Sequence, residues 1–88
     1  MNDLRIKSVS FPDDALRVVF SDSRSIELPL DLFAKLKAAS SSEREHWRLI
    51  GKGLGIHWEV LDEDISLENI LLAYSRSKRG AYARGMLV

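Results

Sequence analysis

The sequence predicts a small α+β domain, in which a three-stranded antiparallel meander is followed by a helix, a glycine-rich extended segment and a second helix. Three observations carry this. The first 28 residues hold three short runs of alternating polarity separated by turn chemistry. The period then changes at Pro29, and a capped helical pattern returns after Ser66.

In the first run Val9 and Phe11 share one face of an extended strand, with Arg5 and Lys7 in the same period, and Pro12, Asp13 and Asp14 stop it. The second, ALRVVF, places Leu16, Val18 and Phe20 opposite Arg17 and Val19, and Ser21, Asp22 and Ser23 make the next turn. Residues 24–28 continue with Ile26 and Leu28 against Ser25 and Glu27, so three strands joined by tight turns present one face to a core. Beyond Pro29 the spacing of Leu32, Phe33 and Leu36 predicts a helix over 30–39, with Asp31 at its start and Lys35 and Lys37 towards its negative end. Ser40, Ser41 and Ser42 break that helix, and Ser42 with Glu45 has the spacing of a capping box for a short turn over 43–47.

Residues 47–69 are the densest part of the chain. They hold Trp47 and Trp58, the glycines Gly51, Gly53 and Gly55 at alternate positions, His57 and a run of acids. Extended backbone on either side of the glycines puts Trp47 and Leu49 on one face, and Ile56, Trp58 and Val60 on another. The tryptophans therefore read as core anchors, and the glycines as sites where the backbone turns or passes close to another segment. Arg48, Lys52, His57 and Glu59 face outward and form the candidate interaction surface. Ser66 suits an N-cap, Ile65 can staple to Ile70, and Leu67, Ile70, Leu71 and Tyr74 recur at helical spacing over 67–75. Asp62, Glu63 and Asp64 then lie ahead of a positive helix end.

One domain over 1–75 followed by a basic, mobile tail over 76–88 is the expected organisation. Thirteen basic and thirteen acidic residues cancel, but Arg76, Lys78, Arg79 and Arg84 all follow the last acid, Glu68. A neutral domain with a short basic extension is a weak nucleic-acid binder, so such contact is expected only through the tail. Without cysteine there is no disulfide framework and no thiolate zinc site, which suits a cytoplasmic protein. No apolar run approaches the roughly 20 residues needed to span a bilayer, and Asp3, Arg5 and Lys7 break up any signal peptide.

Catalytic, cofactor and metal sites find little support. The glycines lead into another extended segment, not a helix start, and Lys52 has no following Ser or Thr, so neither nucleotide-binding fingerprint is met. His57 beside Asp62, Glu63 and Asp64 has metal-binding residue types without a ligand spacing. Only His46 and His57 are available as bases, and no serine lies in a nucleophile elbow. The expectation is a non-enzymatic protein with no cofactor; small-ligand or metal-dependent activity over residues 51–64 is the alternative. A homodimer is a further expectation for a chain this short with open sheet edges.

An opening I-x-S-V-x-F, a strand ending F-S-D-x-R, the segment IELPLDLF and above all HWRLIGKGLGIHWEVLDEDIS resemble the small bacterial family called domain of unknown function 2442. The match covers about residues 4–72. It departs from the family pattern at Ser23, where a turn glycine is common, and at Glu59, where proline is common. The resemblance implies a small α+β domain without established activity or functional residues. It also implies company: members are sometimes fused to a helix-turn-helix domain and are often encoded beside another small protein in a toxin–antitoxin arrangement. From this the expected function is a protein-interaction module, the antitoxin-like member of a two-gene pair.

Overall fold

A computed structural model describes residues 3–77. The first meander forms as expected, with β1 (Ile6–Ser10), β2 (Ala15–Phe20) and β3 (Ser25–Pro29) in that order in one antiparallel sheet. Its core face differs at β1. Ile6 pairs with Phe20 and Ser8 with Val19, so Lys7 is an extra residue in the ladder. This bulge resets the alternation, and Ile6 and Val9, three apart, both turn inward. Strict alternation through Arg5, Lys7, Val9 and Phe11 is corrected accordingly; Phe11 is only half-buried.

The β2–β3 turn contains Ser23 at φ 75°, a left-handed conformation that glycine adopts without the clash of a Cβ. Asp22 compensates by accepting from the Arg24 backbone N–H at 3.0 Å and from its guanidinium at 2.8 Å. Ser23→Gly is expected to raise stability by about 1 kcal/mol, the usual penalty for a side chain in this region, read as a higher urea midpoint with an unchanged slope.

The single helix expected over 30–39 is replaced by two pieces. A 3-10 turn spans Leu30–Leu32, Phe33 sits at φ −132° and ψ 89°, and α1 covers only Ala34–Ala38. The break lets Leu30 and Leu36 enter the core, while Leu32, expected there, stays about half exposed. The capping box is formed by Ser40 and Glu43, two residues earlier than expected, and starts α2 (Ser41–Arg44). Arg44 then closes α1 by donating to the carbonyls of Leu36 at 2.8 Å and Lys37 at 3.0 Å.

A second meander follows, of β4 (Trp47–Ile50), β5 (Gly55–Trp58) and β6 (Glu63–Ser66), joined directly to α3 (Leu67–Ser77). The strand β6 corrects the reading of the acids as a helix lead-in. Glu63 and Asp64 are paired with Trp58 and His57, and Ile65 with Ile56. Ser66 caps α3 by accepting from the Asn69 N–H at 3.0 Å, and Ile65 and Ile70 are both buried, as expected. α3 continues two residues past 75. The basic tail expected over 76–88 thus begins in a helix, and the rest of it lies outside the described residues.

Both sheets share one core. Leu16, Val18 and Leu28 from the first meet Ile56, Trp58 and Ile65 from the second, with Leu30, Leu36 and Ile70 closing it. The tryptophans contribute unequally. Trp58 is fully buried, lies edge-on to Phe11 at 6.5 Å and donates its indole N–H to the Arg44 carbonyl at 3.0 Å; Trp47 is half-buried at the margin.

Candidate functional site

The second meander has one face in the core and one outside. Because side chains alternate along a strand, the burial of Ile56, Trp58 and Ile65 turns Arg48, His57 and Asp64 outward. Register then aligns them: Arg48 is opposite His57, and His57 is opposite Asp64. The result is a row of charge-bearing side chains across three strands. Glu59, just past β5, completes it by accepting from Arg48 at 3.2 Å and by meeting His57 Nε2 at 3.0 Å.

Of the four residues expected on the interaction surface, three are therefore brought together and one is not. Lys52 occupies the Gly51–Gly53 turn at φ 57°, at the far end of the hairpin from Glu59. The spacing rules missed Asp64, which bonds His57 Nδ1. The signal was present in the alternation of Asp64 and Ser66 against Glu63 and Ile65, but four residues rich in acids are too short to declare a strand.

His57 is more basic than an ordinary histidine. The Asp64 carboxylate at Nδ1 is the main cause and Glu59 adds to it, while burial works the other way. Glu59 is held below the usual carboxylate range by Arg48 first and His57 second. The two acids thus hold a proton on a ring that is 18% exposed. Sign follows from this: His57 binds its proton more tightly when folded, so its contribution is complete below the ordinary value of 6.5 and is lost as pH rises through the higher folded value. Glu59 acts oppositely, contributing above 4.5 and losing that contribution as pH falls through its lowered folded value. The melting temperature is expected to fall as pH is raised through neutrality, and His57→Gln to flatten that fall. An identical profile for parent and variant would assign the slope to other groups.

Beside the row lies an apolar hollow of about 210 Å³. Ile50, Gly55 and Ser66 are neighbours across the three strands and border it together with Leu54 and Asp64; the Ile50 side chain packs over Gly55, where a Cβ would come within 3.2 Å of it. Among the described residues no group of three or more His, Asp or Glu side chains is arranged to hold a metal ion, and no helix is long and apolar enough to cross a membrane. Both nitrogens of His57 are engaged by carboxylates.

Two linked antiparallel meanders sharing one core with a C-terminal helix define the class: a mixed α+β domain. The chain belongs to the family described as protein of unknown function (DUF2442), which matches residues 6–75. A protein of unknown function from Rhodospirillum rubrum ATCC 11170, known from a crystal structure, is similar to it. The TM-score is 0.71 at 26% identity, over 81% of this chain and 88% of that one. An uncharacterized protein from Chromobacterium violaceum, solved by NMR in solution, gives 0.68 at 19% identity, over 85% and 73% respectively, and at that identity shows the fold alone. No curated protein matches the sequence.

Proposed function

We propose that this protein is a non-enzymatic interaction module that binds another protein, the product of an adjacent gene, through the outer face of β4, β5 and β6. In this reading it is the antitoxin-like member of a two-gene pair. The supporting observation is the juxtaposition of the Arg48–His57–Asp64 row with the Gly55 hollow. An apolar recess bordered by charges of both signs has the anatomy of a protein interface, where one anchoring side chain fills a pocket and polar groups around it set register. A suitable partner offers an apolar side chain to the hollow, an acid to Arg48 and a base to Asp64.

Co-expression with the neighbouring gene product followed by size-exclusion chromatography tests this. A single co-eluting complex is expected, and Arg48→Glu should weaken it at least several-fold while the variant stays folded. Two independent peaks at micromolar concentration would remove the reading. The chain alone, run in parallel, reports whether it also forms the homodimer that its size favours; broad charge complementarity without self-pairing would leave the face to the partner.

A further inference from the structure

We propose that the partner's contact runs on from the Gly55 hollow, across Leu54, to the start of α3, where the partner supplies a second apolar side chain and a basic one beside it. This rests on the partner reading and adds residues that the strand face does not contain.

Leu54 follows the Gly51–Gly53 turn and stands 48% exposed. On one side it borders the hollow of about 210 Å³ with Ile50 and Gly55; on the other it borders a hollow of about 350 Å³ with Leu67, Glu68 and Leu71. Ser66 also borders both, because β6 runs directly into α3. The Leu67 N–H donates to the Leu54 carbonyl at 2.8 Å, which ties the start of α3 to the hairpin and the second hollow to the first. Leu71 is 39% exposed and lies one helical turn beyond Leu67, which is buried. Ile50, Leu54 and Leu71 thus form an apolar strip at the surface, the kind of patch that marks a protein contact.

Charge indicates what covers the strip. Arg48 lies on β4, one edge of the second sheet, and Asp64 on β6, the other edge, from which the chain passes into α3. Glu68, in the first turn of that helix, adds a second acid on the Asp64 side; it is exposed, and its carboxylate has no partner among the described residues. Among those residues no basic side chain borders either hollow. A segment lying across Leu54 is therefore complementary when it carries an apolar side chain for each hollow and Lys or Arg over Asp64 and Glu68.

Calorimetry with the purified neighbouring gene product tests the extension. Leu71→Asp is expected to lose about ten-fold or more in affinity, and Glu68→Lys to lose several-fold, each with the parent's urea midpoint. Leu72→Asp is the control, because Leu72 is 47% exposed on the same helix and borders neither hollow; it should bind as the parent does. If Leu71→Asp loses cooperative unfolding, Leu54→Gln takes its place with the same expectation. Binding weakened by Arg48→Glu but unchanged by Leu71→Asp and Glu68→Lys would overturn the extension and leave the strand-face reading standing. No binding by the parent chain would remove both. Equal losses in Leu71→Asp and Leu72→Asp would also overturn the extension. So would a parent chain that elutes alone as a dimer and becomes monomeric with Leu71→Asp, since a second copy then covers the strip.

Discussion

Trp58→Ala is expected to remove a large part of the stability of the domain. Removing a fully buried aromatic side chain costs about 3–5 kcal/mol, which approaches the total stability of a small domain, about 5–15 kcal/mol. At Trp58 the loss has three parts. The ring fills the space between the two sheets at 0% exposure, its edge-on contact with Phe11 disappears, and the Arg44 carbonyl loses the indole N–H it accepts. Arg44 also closes α1 through Leu36 and Lys37, so the damage reaches the helical connection between the sheets. Trp47→Ala provides the comparison, because Trp47 faces Trp58 across the β4–β5 ladder yet is only half-buried. Urea unfolding followed by circular dichroism should place Trp58→Ala far below Trp47→Ala. Equal midpoints would mean that the core is not centred on Trp58.

Gly53→Ala should be the next most damaging. Gly53 sits at φ +90°, and a Cβ there would lie 2.8 Å from the Ile6 carbonyl oxygen and 3.0 Å from Arg5 Cβ. Strain from the backbone conformation alone is about 1–3 kcal/mol. The clash adds to it, since the obstructing atom is backbone in β1 and cannot swing aside as a side-chain end would. The substitution therefore pushes the β4–β5 turn away from the first sheet. Gly51→Ala isolates the conformational part, because Gly51 is also left-handed, at φ +59°, but its nearest neighbour would be Leu54 Cβ at an ordinary 3.5 Å. Thermal unfolding should show Gly53→Ala clearly below Gly51→Ala; the reverse order would contradict the close approach to β1.

These two residues illustrate how much of the molecule was legible. The glycines at 51 and 53 were readable as turn or close-approach positions, and both purposes are realised at Gly53. Trp58 was readable as an anchor, but its greater burial than Trp47 depended on the partner elements α2 and Phe11. The helix at 30–39 failed because apolar spacing records which residues are oily and not which turn of backbone carries them inward. Phe33 breaks the helix, and Leu30 takes the place expected of Leu32. The candidate surface was three-quarters visible in Arg48, His57 and Glu59, whereas Asp64 entered it only through pairing of a strand too short to announce itself.

By itself the sequence determined the mixed α+β class, the first meander and the capped start of α3, because alternation, turn residues and caps act over a few neighbouring positions, and its motif strings carried the resemblance to the family. Tertiary structure decided what depends on residues distant in the chain: the bulge at Lys7 that brings Ile6 inward, the second sheet completed by β6, and the alignment of Arg48, His57 and Asp64. Local chemistry sets the alternation of side chains along a regular strand. Only pairing between strands fixes which side chains stand beside one another, and the proposed recognition face is made of such neighbours.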